Sequence, residues 1–355
     1  MSEVSSFLST RTLQVTAVTD GTVLPGRFEG GGGIVTKEGK YLEETYLHRG
    51  IGCPYASSNV KYDEREVVYL GMFHHVWGHC FTDNLKHLWF LDKEEYAHLR
   101  GLPKVFTTVF PSFVPPRNFI SMLEKLGWDY HEFEWVTEPT VFKKIFVPDE
   151  CFFYDTSLNE RRYTEEYEGL IDRLTPWPLP QDRNEKVFFS RAGLKSRKDY
   201  GERVIEKAFR KGGYQVVCPE TLSFDEMLSC LSRCSTLAAP ESSTSMNSIF
   251  LPKGTELVLV NRGHKTGYQP CINRLRELKV TVIPAHKSVF INPSQPWNGP
   301  FFSYCSGELA RFLGIKKPLF PLKEFLKYTY ENGFLPWVKR LKKKAKTWLK
   351  HLLRH

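Results

Sequence analysis

His75, His79, Asp83 and His87 stand four residues apart in the run HHVWGHCFTDNLKHLWFL. On a helix this spacing gives one slowly rotating polar stripe, with Phe81, Leu85 and Leu88 turned to another side as core residues. His79 and Asp83 are then within reach of each other. A carboxylate beside an imidazole orients the ring and raises its basicity, which suits a general base that removes a proton from a hydroxyl. The same pair also reads as a structural hydrogen bond. His-x-x-x-His would suit a metal, but HExxH is absent and no third ligand is evident. His74 and Asn84 flank the stripe as further candidates.

A second set of residues could hold an anion. Arg191, Lys195 and Arg197 come after the apolar run at Val187–Ser190. A diphosphate concentrates negative charge, and cations with a helix start can hold it without a metal ion. D-x-D, an acidic pair that could hold a divalent ion for such a group, is absent from the chain. A solvated basic loop is the other reading of Lys195 and Arg197. Downstream stands Pro240-Glu241-Ser242-Ser243-Thr244-Ser245-Met246-Asn247. Here a strand at Thr236–Ala239 should meet a helix at about Thr244–Phe250, whose free N–H groups with small hydroxyls make an anion site. Ser242, Ser243 and Thr244 would face phosphates, and Glu241 would accept from ribose hydroxyls. Asn247 reads as a binding residue or as a structural hydrogen-bonder, and the Ser/Thr run also fits an ordinary N-cap.

Periodicity supplies the scaffold for these residues. REVVYLG, KVFTTVF and KKIFVPD read as strands, with helices over Trp77–Leu91 and Arg117–Leu126. After the extended LTPWPLPQDRNEK, whose prolines exclude a helix, strand and helix alternate from Lys186 to Val260. LKVTVIPA and SVFINP add further strand signals, separated from Val260 by the helical CINRLREL. The organisation expected is a β-rich segment over 1–60, an acceptor-side α/β domain over 61–175, a donor-binding α/β domain over 186–310 and C-terminal helices over 311–355. The run Gly30–Gly33 lacks the spacing of a phosphate loop and reads as a turn.

The segment over 65–260 resembles glycosyltransferase family 61, most closely over 186–260. The resemblance is carried by Ser190-Arg191 and the basic residues after it, by Pro219-Glu220-Thr221-Leu222-Ser223-Phe224, and by Pro240 to Asn247. Ile249-Phe250-Leu251-Pro252-Lys253-Gly254-Thr255 closes the pattern. Glu241-Ser242 stands where many members have His-Gly. A family segment built on His and an acid four residues later maps onto His79, Asp83, Leu85 and Leu88. The resemblance implies a GT-B fold of two Rossmann-like domains facing across a cleft. It also implies an inverting, metal-independent transferase without a cofactor, acting from a nucleotide-sugar donor onto a glycan or glycolipid acceptor in surface polysaccharide synthesis. His79 helped by Asp83, or Asp83 itself, would be the base. An epimerase, a phosphate-transferring enzyme or a non-catalytic assembly protein of the same fold are the alternatives.

The 355 residues carry a net charge of +9, but Lys339, Arg340, Lys342, Lys343, Lys344, Lys346, Lys350 and Arg354 lie in an acid-free tail from Asn332. The rest is nearly neutral, which argues against a general nucleic-acid binder. Val338, Leu341, Ala345, Trp348, Leu349 and Leu352 recur at helical spacing, so the tail reads as a basic amphipathic helix for an anionic membrane surface. A helix docked on the protein with a solvated basic face is the other reading. No C-x-x-C pair occurs among the eight cysteines, and neither a signal-peptide core nor a membrane-length apolar run is present. A cytoplasmic protein, peripheral on the inner face of the plasma membrane, is expected.

Overall fold

The computed structural model describes residues 7–26, 31–45, 53–57, 59–108, 114–175, 179–194 and 198–352, with side-chain environments up to residue 344. The chain divides into two compact units, Met1–Trp177 and Pro178–His355.

The first unit is built on a seven-stranded mixed sheet. Its strands are β1 (Val15–Leu24), β2 (Gly33–Val35), β3 (Tyr41–Leu42), β4 (Lys61–Met72), β5 (Lys104–Thr107), β6 (Phe133–Val136) and β7 (Thr140–Pro148), in the order β3-β2-β1-β7-β4-β5-β6. β7, β4, β5 and β6 run parallel, and β1, β2 and β3 join antiparallel at one side. Val67 to Leu70 of β4 are all buried, as a strand covered on both faces requires. Gly33, at φ 109°, has no room for a side chain, because a Cβ would lie 2.7 Å from the Tyr41 hydroxyl. The helices are α1 (Trp77–Thr82), α2 (Arg117–Lys125) and α3 (Glu165–Leu174), and a hairpin of β8 (Phe152–Asp155) and β9 (Glu160–Tyr163) precedes α3.

The second unit holds a fully parallel five-stranded sheet of β10 (Glu185–Phe189), β12 (Gln215–Val217), β13 (Cys234–Pro240), β14 (Glu256–Asn261) and β15 (Lys279–Pro284). The order β12-β10-β13-β14-β15 is 2-1-3-4-5 in chain sequence, that of a doubly wound sheet. The connections carry α4 (Glu202–Lys211), α5 (Phe224–Arg233), a 3₁₀ turn at Ser245–Phe250 and α6 (Gln269–Leu275). Phe188 and Phe209 stack at 4.1 Å within a core that includes Ile205, Val258 and Ile283. The family-like Ser223-Phe224 is accounted for locally. Ser223 forms a capping box with Glu226 at the start of α5, and Phe224 is fully buried.

A short parallel pair of β11 (Asp199–Tyr200) and β16 (Phe301–Phe302) lies beside the main sheet. Gly201 comes next at φ 82°, where a Cβ would collide with the Ser303 carbonyl oxygen. Residues 288–293, expected as a strand, are irregular. There the Phe290 ring lies 5.2 Å from that of Tyr328, and its N–H bonds the Tyr328 hydroxyl instead of a ladder. After α7 (Gly307–Phe312), helical structure is continuous through α8 (Leu322–Thr329), a π turn at Tyr330–Phe334 and α9 (Leu335–Leu352). This run is seated by Tyr328, by Glu324 accepting from the Gly201 N–H at 2.6 Å, and by the Tyr200 hydroxyl donating to Glu331 at 2.6 Å. Among the described residues no helix is long and apolar enough to cross a membrane.

Candidate active site

In the first unit His79 lies on α1, just past the carboxyl end of the parallel strand β4, a usual location for ligand chemistry in α/β sheets. Its Nδ1 is 2.7 Å from Asp83 Oδ2, which also accepts from the Thr82 hydroxyl at 2.8 Å. Asp83 is buried while His79 is partly open. An Nδ1–H donated to the carboxylate places the ring's lone pair on Nε2. His74 lies against His79 with ring centroids 5.2 Å apart. The side-chain amide of Asn84 holds the His74 backbone, accepting from its N–H at 2.9 Å and donating to its carbonyl at 3.0 Å.

The expected helix over Trp77–Leu91 is shorter than the periodicity implied. It ends at Thr82 with Asp83 as its C-cap, and a 3₁₀ turn resumes at Leu88–Asp92. Asn84, Lys86 and His87 each find partners outside a helix, and those tertiary bonds override the local preference. Lys86 pairs with Glu150, and the His87 Nδ1–H donates to the Pro148 carbonyl at 2.8 Å. His87 therefore leaves the expected stripe. Burial, then the neighbouring Lys86 charge, pushes it down to about 4, so it is neutral near pH 7. His79 and Asp83 stay together because a C-cap residue still projects one turn beyond its i−4 neighbour.

In the second unit the carboxyl ends of β10, β13 and β14 bring the anion-binding candidates together. Arg191 comes just after β10, and its Nη1 is 3.3 Å from Ser242 Oγ and 3.5 Å from Thr244 Oγ1 in the turn after β13. These two strands flank the point where the 2-1-3-4-5 order reverses, the place where doubly wound sheets bind ligands. The turn differs from the helix start expected. The N–H of Ser242 is taken up by Ser245 Oγ at 3.2 Å and that of Thr244 by Ser242 Oγ at 3.2 Å. The chain then continues as a short 3₁₀ turn, because the hydroxyls close the backbone on itself. The Arg191 guanidinium and small hydroxyls, rather than free N–H groups of Ser242 and Thr244, are what this place offers an anion, and the Ser242 hydroxyl itself donates to the Pro240 carbonyl at 3.0 Å. Ser243 is the partly open member, and buried Asn247 donates to the Thr244 carbonyl at 2.9 Å. Buried Glu241 accepts from Asn261 at 2.8 Å, and desolvation raises its carboxyl above the ordinary range.

Lys195 and Arg197 lie outside the described residues. Lys339, Arg340 and Lys343 are exposed on α9, whereas Trp348, Leu349 and Leu352 fall within its span with side chains outside the described residues.

Three residues here were not singled out by sequence. Asp199 bridges two guanidiniums, accepting from Arg191 Nη2 at 3.3 Å and from Arg262 Nη1 at 2.8 Å. Arg262 also lies 4.0 Å over the Phe301 ring. The Nε–H groups of Arg191 and Arg262 are both buried without an acceptor. Burial, then the Arg191 charge, lowers Arg262 from the ordinary guanidinium value. Beside them burial pushes the Glu202 carboxyl up to about 7, against the pull of Arg262. The cluster thus holds two guanidiniums, each with one buried N–H lacking an acceptor. Arg262 directly succeeds the apolar ELVLVN of β14, so the rule that ligands gather at carboxyl ends of parallel strands was a usable signal for it. Nothing in the spacing points to Asp199 or Glu202.

Residues 77–258, from α1 into β14, match the sequence model of the family described as Glycosyltransferase 61. No curated protein matches the chain.

Proposed function

The chain belongs to glycosyltransferase family 61 and is a glycosyltransferase, and we propose that it is inverting and metal-independent, with the two α/β units serving as acceptor-side and donor-side halves of a GT-B enzyme. The observation that carries this reading is the cluster of Arg191 with Ser242 and Thr244 at the switch point of the parallel sheet. It suits the diphosphate of a nucleotide-sugar donor.

In this reading His79 Nε2 takes the proton of an acceptor hydroxyl while Asp83 holds the ring and stabilises the imidazolium. The acceptor oxygen attacks the anomeric carbon as its bond to the diphosphate breaks, and the electron pair leaves with the nucleoside diphosphate. Arg191 and the Ser242 and Thr244 hydroxyls take up the charge that develops there. Ser243 and Glu241 border that position, with Glu241 toward the ribose, and Lys195 and Arg197, close to Arg191 in sequence, add positive charge for the donor. The acceptor is a glycan or glycolipid of a surface polysaccharide, used at the cytoplasmic face of the plasma membrane.

The test is a thermal-shift screen against UDP-, GDP-, CMP- and dTDP-linked sugars, then analysis of the product's anomeric configuration. Transfer with inversion that persists in excess EDTA is expected. Retention, or a strict need for Mn²⁺ or Mg²⁺, would overturn the mechanism.

A further inference from the structure

We propose that one face of the α8–α9 run is a docking surface for an anionic lipid membrane, centred on Phe334 and Trp337 at the start of the basic tail. This rests on the membrane location proposed above and moves the centre of its apolar contact from Trp348, Leu349 and Leu352 to the aromatic residues that precede them.

Leu322, Leu326, Tyr330, Phe334, Trp337 and Leu341 are each between 47% and 60% exposed. At 3.6 residues per turn, residues four apart advance by about 40° per step, so the three steps from Leu322 to Phe334 would roll an apolar row about 120° round a regular helix. The π turn at Tyr330–Phe334 is wider and turns less per residue, which rolls the row back. Trp337 and Leu341 then continue on the same side. The rings form a ladder, with Tyr330 and Phe334 centroids 5.7 Å apart and Phe334 and Trp337 centroids 6.0 Å apart. Tyr and Trp with aliphatic neighbours are the residues that settle at the headgroup level of a bilayer.

Charge selects the occupant. The two acids of the run are bound to the protein body, Glu324 to the Gly201 N–H and Glu331 to the Tyr200 hydroxyl. The cations along the row are the exposed Lys323, Lys339, Arg340, Lys342, Lys343 and Lys344, while Lys327 pairs with Glu331 at 4.0 Å. A second copy would bring the same cations to the same face and be repelled. An anionic lipid surface meets both the apolar row and its basic margins.

The experiment is co-sedimentation of the full chain with phosphatidylcholine vesicles, with and without phosphatidylglycerol. Wild type should pellet only with the anionic vesicles. Phe334→Ser with Trp337→Ser keeps every cation and alters only exposed positions, so folding should persist, as unchanged thermal unfolding would show. This variant should lose at least tenfold in vesicle affinity, whereas Phe334→Leu with Trp337→Phe should retain it. If the serine variant binds as wild type does, the tail alone docks; the proposal fails and the membrane location stands. If wild type ignores anionic vesicles, both fail. Self-association that the serine variant abolishes, without vesicle binding, would assign the face to a second copy and overturn the proposal.

Discussion

Asp83 fixes which nitrogen of His79 carries the proton, and this fixes what His79 can do. Turnover of His79→Ala should drop by roughly two to four orders of magnitude with donor affinity little changed, the loss typical of a general base. Steady-state kinetics with separate nucleotide binding checks this, and near-normal turnover would make the histidine structural. On the donor side, Arg191→Ala should weaken nucleoside diphosphate binding by about 1.5–3 kcal/mol, the scale of a charge-assisted hydrogen bond, as calorimetry would read. Glu202 makes a prediction in pH. Its folded value of about 7 lies above its ordinary 4.5, so it binds its proton more tightly when folded. Its contribution to stability is fully present below about 4.5 and lost as pH rises to about 7. Relative to wild type, Glu202→Gln should therefore gain stability across that window, by roughly 3 kcal/mol at most. A constant difference in urea unfolding between about pH 5 and about pH 8 would count against it. At this scale a four-residue interval made the His79–Asp83 pair legible. The meeting of Asp199 with Arg262 was not, since it depends on the pairing of β11 with β16 and the placement of β14 in the sheet.

Elements were readable where period and punctuation agreed. β4, β10, β13 and β14 are apolar runs between turn residues, and α5 opens on Ser223 with Glu226 three residues on. Ser223→Ala should cost about 1 kcal/mol in thermal or urea unfolding, because it removes an acceptor for an otherwise open helix N–H. A change within a few tenths would mean that water replaces the cap. The failures came where side chains preferred distant partners. The helix from Trp77 stops early because Asn84, Lys86 and His87 bond to His74, Glu150 and the end of β7. Residues 288–293 have strand-like composition, yet their backbone is used to seat Tyr328. Composition shows neither kind of competition, since it arises only when the chain is folded.

For the whole molecule, eight cations in the tail against a net charge of +9 leave the rest near neutrality. A chain ending at Gly333 should therefore lose most of the salt-sensitive part of vesicle binding, while its unfolding transition stays close to wild type. Sedimentation at low and high ionic strength checks this, as added salt screens charge over a Debye length. Salt-sensitive pelleting that survives the cut would place the relevant cations elsewhere.

Where such a cut is made has a practical consequence. Tyr200 and Gly201 come directly after Asp199, the carboxylate shared by the two arginines, and they are tied to Glu331 and Glu324. Ending the chain after Gly333 keeps both ties, whereas ending it before Leu322 removes both and leaves the Asp199 segment held by β16, by its two arginines and by its continuation into α4. A protein shortened to improve its solubility or crystallisation would then show a weakened arginine cluster, the proposed donor site, for reasons unrelated to lipid. Its poor activity would be misread as evidence that the tail takes part in catalysis.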